Sequence, residues 1–162
     1  SLFVDSDQLC LADIAKVFAL ADPKYAVMCT KHIHLVAAGT KMDGQVQSPY
    51  ARKNWSSFML FNKEHPSNRK LTVELINSVP GRDLHRFTWL DDSEIGDIPL
   101  EWNHLVGEKP PITADGMVYP QYVYPAVKNA HFTGGTPLMP GYESCDFSAE
   151  WRMEREIMRA SL

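Results

Sequence analysis

Apolar residues fall in short runs along this chain, separated by polar stretches punctuated with Gly and Pro. The first run, Leu2 to Val4, leads straight into Asp5-Ser6-Asp7 and predicts a buried strand that ends in two carboxylates. Residues 10 to 22 predict a short helix with Leu11, Ile14, Ala15 and Phe18 on one face, ended by Asp22-Pro23. Tyr25 to Thr30 is a compact apolar strand, followed by Lys31-His32-Ile33-His34. In extended backbone His32 and His34 share a face, either as a metal-binding pair or as a polar strand end.

Residues 39 to 56 are polar and loop-like, with Gly39, Gly44 and Pro49 as punctuation. A long polar loop inside a compact domain suits a functional role. Phe58 to Phe61 then gives four consecutive apolar residues, a strand covered on both faces. His65 to Asn68 reads as a turn, and Thr72 as the N-cap of a helix over about residues 73 to 77, closed by Pro80-Gly81. Leu84 to Leu90 predicts a short helix or turn, and Ile98 to Asn103 a turn into an extended segment. The prolines at 110, 111, 120 and 125 allow little helix over residues 107 to 125, with room for a short strand at Tyr122 to Tyr124. Ala126 to Thr133 returns as a strand that carries His131. Residues 147 to 160 predict a helix capped by Ser148, with Trp151, Ile157 and Met158 facing the body.

Composition narrows the class. The 162 residues suffice for one domain, and a formal charge of −4 disfavours a nucleic-acid partner. No apolar run approaches the roughly 18 residues of a membrane span, and no basic, apolar leader opens the sequence. Three scattered cysteines, Cys10, Cys29 and Cys145, fit free and mostly buried thiols in a reducing compartment, so a cytoplasmic protein is expected. A core strand that begins at Ser1 is an unusual start for an α/β domain, so the chain is expected to be one piece of a larger polypeptide.

The candidate chemistry starts at the first strand. Ligands of α/β sheets gather at the carboxyl ends of strands, where Asp5 and Asp7 stand. Two hard oxygen ligands suit Mg²⁺ or Mn²⁺, and such an ion suits a diphosphate. The same two residues also suit a turn that caps a following helix. Asp91, Asp92 and Glu94 read as solvated charge.

Four motifs in one order go further. They are Phe3-Val4-Asp5-Ser6-Asp7, then Asn54-Trp55-Ser56-Ser57 leading into the strand to Asn62, then Ile98-Pro99 with Trp102-Asn103, and last His131-Phe132-Thr133-Gly134-Gly135. This order resembles the GT-A class of nucleotide-sugar glycosyltransferases, in particular the retaining group of glycogenin and the bacterial lipopolysaccharide galactosyltransferases. The resemblance covers about residues 1 to 136. It implies an α/β fold with a GT-A-like mixed sheet flanked by helices, lacking the N-terminal nucleotide-binding βα units. Residues 1 to 162 would then be a single domain, the C-terminal portion of such an enzyme.

The resemblance also implies roles. Asp5, Asp7 and His131 match the family's metal ligands, with Asp5 also near the ribose. Asp5, Ser6, Asp7, Asn54, Trp55, Ser56, Ser57, Gly134 and Gly135 match its nucleotide-sugar contacts. The partners implied are a nucleotide-sugar donor, a glycan or other hydroxyl acceptor, and the rest of a larger polypeptide. An ion held by two carboxylates and an imidazole would offset the charge of the leaving diphosphate, and the imidazole favours Mn²⁺ over Mg²⁺. Glycine lets backbone N–H groups approach phosphate closely.

This chain departs from the pattern in two places. Thr136-Pro137-Leu138 stands where the family has a Lys-Pro-Trp that meets the diphosphate, leaving Lys31, Lys53, Arg86 or Lys128 as substitute cations. Trp55 and Ser57 stand where the family has a sugar-contacting Asn and Gly, so sugar preference does not carry over. Two rival readings follow: a non-catalytic binding or scaffold domain, and a metal-dependent phosphohydrolase. No catalytic nucleophile follows from the spacing.

Overall fold

The structure, a computed structural model, describes residues 1–33, 52 and 54–162, and the backbone of 39–40 and 46–47. Within these residues the fold is mixed α/β, with two small mixed sheets and few helices. In chain order the strands and helices are β1 (Leu2–Val4), β2 (Gln8–Cys10), α1 (Ala15–Phe18), β3 (Val27–Cys29), β4 (Gly39–Thr40) and β5 (Val46–Gln47). Then come β6 (Phe58–Phe61), α2 (Val73–Ser78), α3 (Gly81–His85), β7 (Ile95–Asp97), β8 (His104–Leu105), β9 (Asn129–His131) and α4 (Ser148–Ala160).

The first sheet runs β1-β6-β3-β7, with β6 antiparallel to both neighbours and β3 parallel to β7. Its strands alternate between two apolar layers, as period-two side chains must. Phe58 and Leu60 of β6 and Met28 of β3 pack with Val17, Ile98 and Trp102 on one face. Val27 and Cys29 pack with Phe87, Leu90 and Ile95 on the other, where Met59 and Phe61 also lean. The four-residue apolar run of β6 is therefore covered on both sides, as the sequence predicts.

The second sheet is β2-β9-β8, with β2 antiparallel and β8 parallel to the central β9. Leu9, Val106, Ala130 and Phe132 form its core, closed by Phe147 and Trp151 at the start of α4. The Asp-Ser-Asp turn is the connection from β1 of one sheet to β2 of the other.

Several expectations need correction. The helix expected over 10 to 22 is only Ala15–Phe18, because Gln8–Cys10 is taken into the ladder with β9. Its buried residue is Val17, while Phe18 is half exposed. Pro80-Gly81 closes α2 but also opens α3. Tyr122 ends a 3₁₀ turn, Pro120–Tyr122, in place of a strand. Ser148 does not cap α4; the position before the helix is Phe147, held at φ 60°, and no side-chain cap forms. Its ring packs edge-on to His104, 5.7 Å between centroids, so tertiary packing overrides the local cap. Ile157 and Met158 are exposed, and only Trp151 of the expected trio reaches the core. Cys10 is exposed, against the expectation of buried thiols, whereas Cys29 is buried and its thiol is pushed up to about 12 by that burial. His34, Lys53 and most of the polar loop lie outside the described residues.

Candidate metal centre

The site is built where the two sheets meet. Val4 pairs with Phe58, so the chain leaves β1 beside Ser57. Asp5 N–H donates to the Ser57 carbonyl at 2.9 Å, and Gln8 Nε2 donates to the same oxygen at 2.8 Å. One carbonyl thus fastens both ends of the Asp-Ser-Asp turn. On the far side Gln8 faces His131 across β2 and β9, and Phe132 N–H donates to the Asp7 carbonyl at 2.9 Å.

This backbone frame gathers Asp5, Asp7 and His131, whose ligand atoms all lie within 4.8 Å of one another. Asp5 and Asp7 are half-buried, Ser6 points outward, and His131 is 3% exposed. Nε2 of His131 is 3.3 Å from Oδ1 of Asp7. A carboxylate only accepts, so that contact is favourable with a hydrogen on Nε2 or with a metal ion between the two atoms. Two carboxylate oxygens and one imidazole nitrogen, half open to solvent, are a donor set that fits Mn²⁺ and leaves coordination positions for other oxygens.

Behind His131 lies a buried polar cluster whose joint role the sequence did not show. Asn103, with no exposed surface, places Oδ1 2.9 Å from Nδ1 of His131. Its Nδ2 is 2.8 Å from Thr30 Oγ1 and 2.8 Å from Ser57 Oγ. Thr30 follows β3 and Ser57 precedes β6, so Asn103 joins the first sheet to the central strand of the second. An Asn between Trp102 and His104 shows no periodicity that would mark it; only the pair Trp102-Asn103 in the motif order pointed there.

Asn54 adopts φ 61°, and its carbonyl accepts from Ser57 Oγ at 2.7 Å; its Nδ2 is buried with no partner among the described residues. Trp55 packs against the core beside Met59, donates from Nε1 to the His32 carbonyl, and has Lys31 and Arg52 over its ring, 5.7 and 5.8 Å from the centroid. Ser56 Oγ lies 2.7 Å from His85 Nδ1. Ser57 is 4% exposed, and its hydroxyl is engaged by Asn54 and Asn103. A Cβ on Gly134 or Gly135 would come within 2.9 or 2.8 Å of Tyr142, whose ring covers both. Of the candidate cations, Lys31 pairs with Asp97 and Lys128 with Glu101. Asp91 and Glu94 cap a short 3₁₀ turn, and Asp92 pairs with Arg52.

Comparison with known proteins gives one named relative. The chain is 44% identical over 156 residues to Protein CDI of Arabidopsis thaliana, an alignment that covers 96% of this chain. The chain spans 58% of the length of that relative. The relative's name states no chemistry. No protein-family model matches the chain. No solved structure matches it. No helix among the described residues is long and apolar enough to cross a membrane.

Proposed function

We propose that this chain carries the metal-binding face of a GT-A-type glycosyltransferase, one that moves a sugar from a nucleotide-sugar donor to a glycan or other hydroxyl acceptor, with retention. The observation that carries this reading is the convergence of Asp5, Asp7 and His131 within 4.8 Å, from a strand end and a distant strand in the order of that family's motifs. Asp5, Asp7 and Nε2 of His131 would hold Mn²⁺, which when bound offsets the charge of a diphosphate leaving group. The chain's own part is to fix those three ligands on backbone pairing and to keep His131 away from bulk water. Ser6, between the two aspartates in sequence, is exposed.

A second reading, a non-catalytic binding domain, is favoured by one group of contacts: Lys31 and Lys128 are engaged in ion pairs, and Tyr142 covers both glycines. Titration with Mn²⁺ and a panel of nucleotide sugars separates these readings, using the chain alone and an N-terminally extended form. Release of free nucleotide with a new glycoside is the expected outcome. Binding without turnover supports the second reading, orthophosphate release points to a phosphohydrolase, and absence of Mn²⁺ binding in both forms sinks the metal-centre reading.

A further inference from the structure

We infer that Asn103 is the positioning residue that presents the Nε2 lone pair of His131 to the space beside Asp5 and Asp7. The inference rests on the metal-centre reading and concerns how the imidazole is made ready for a cation.

The direction of each hydrogen bond follows from its neighbours. Ser57 Oγ has one hydrogen and donates it to the Asn54 carbonyl at 2.7 Å. Toward Asn103 it can therefore only accept, so the amide atom 2.8 Å away is the NH₂ group. The second amide hydrogen meets Thr30 Oγ1, also at 2.8 Å. The oxygen end of Asn103 is thereby turned to Nδ1 of His131, at 2.9 Å. A carbonyl oxygen only accepts, so this 2.9 Å contact is a hydrogen bond only with the ring hydrogen on Nδ1, in competition with the longer 3.3 Å contact of Nε2 with Asp7 Oδ1. In the neutral imidazole that leaves Nε2 with its lone pair, aimed at the carboxylates.

Without the Asn103 carbonyl the single ring hydrogen has a better place, on Nε2, where Asp7 Oδ1 accepts it. That arrangement satisfies the pair internally and turns the ligand atom into an N–H. Asn103 thus decides whether the space between His131 and Asp7 is available to a cation or closed by a hydrogen bond. Its own orientation is set by two hydroxyls from the first sheet, both buried, so this choice is written into the junction of the two sheets.

The test is nitrogen-15 NMR of the metal-free chain with labelled histidine, in alkaline buffer, with His131 assigned by comparison with His131→Gln. The expected result is the Nδ1–H form. Asn103→Leu is expected to shift His131 toward the Nε2–H form and to weaken Mn²⁺ binding about 10- to 100-fold. Should Asn103→Leu fail to fold, the spectrum of the unaltered chain still decides. An Nε2–H form in the unaltered chain overturns the inference, even if Mn²⁺ binds. Retention of both tautomer and affinity in Asn103→Leu also overturns it. An Nδ1–H form in a chain that binds no Mn²⁺ supports the positioning by Asn103 and rejects the metal-centre reading instead.

Discussion

Gln8 and His131 are cross-strand partners in the antiparallel pair of β2 and β9. That register, together with the grip of the Ser57 carbonyl on Asp5 and Gln8, places both aspartates beside the imidazole. The frame is main-chain pairing and the Gln8 amide, so the ligands can be removed one at a time while the frame persists.

Asp7→Ala is accordingly expected to lose at least tenfold in Mn²⁺ affinity by calorimetry or electron paramagnetic resonance. Its side chain is 37% exposed, so stability should move by only about 0.5 kcal/mol. Unchanged affinity in a folded Asp7→Ala would count against Asp7 as a ligand.

Ser57→Ala should be more damaging to the fold. The hydroxyl accepts from Asn103 and donates to Asn54 in a site 4% exposed, so its loss leaves buried groups short of partners. A cost of about 1–3 kcal/mol in urea unfolding is expected. A wild-type denaturation midpoint would show that the cluster does not tie the sheets together.

Gly134 and Gly135 should respond differently to alanine. At Gly135 the new Cβ meets the root of the Tyr142 ring, Cδ2 at 2.8 Å and Cγ at 3.0 Å, which cannot swing away. At Gly134 the nearest atom is the phenolic oxygen, 2.9 Å away at the free end of the ring. Gly135→Ala should therefore cost about 1–3 kcal/mol and Gly134→Ala less, with Tyr142→Ala relieving the first. Equal melting temperatures for the two alanine variants would refute the placement of Tyr142.

His104 gives a pH dependence with a definite sign. Burial holds its imidazole below the ordinary value of 6.5, against a smaller opposing pull from Asp146. The folded state thus binds this proton less readily than the unfolded state. Its contribution to stability is present above about pH 6.5 and is lost as pH falls from there through the lower folded value. Melting curves between pH 5 and 8 should show this loss, and His104→Gln should flatten it. A variant with the same slope as wild type would assign the effect to other groups.

Much of this was readable from residue order, and the failures have physical causes. The β6 run and the Thr72 cap follow from local chemistry: four apolar residues need two covered faces, and Thr72 Oγ1 does accept from Leu75 N–H at 3.2 Å. Asp5, Asp7 and His131 were named from motif order, and the geometry gathers them. Cys10 was misread as helix because its role depends on a strand from the other end of the chain. The same holds for Phe147, whose backbone is decided by packing on His104. Asn103 was invisible as a function because a buried amide acquires meaning only from what surrounds it. Ser57, which the resemblance gives as a nucleotide-sugar contact, is also a buried joint between Asn54 and Asn103.

The Asp-Ser-Asp turn is also the bridge by which the chain crosses from one sheet to the other. Asp5 hangs from the rim of the first layer, and His131 belongs to the middle of the second. Anything lodged between them acts as a clasp on two separately built halves. Filling that gap would then be felt as cohesion throughout the molecule: amides of β2 and β9 would gain protection from hydrogen exchange together, far beyond the three side chains that touch the guest.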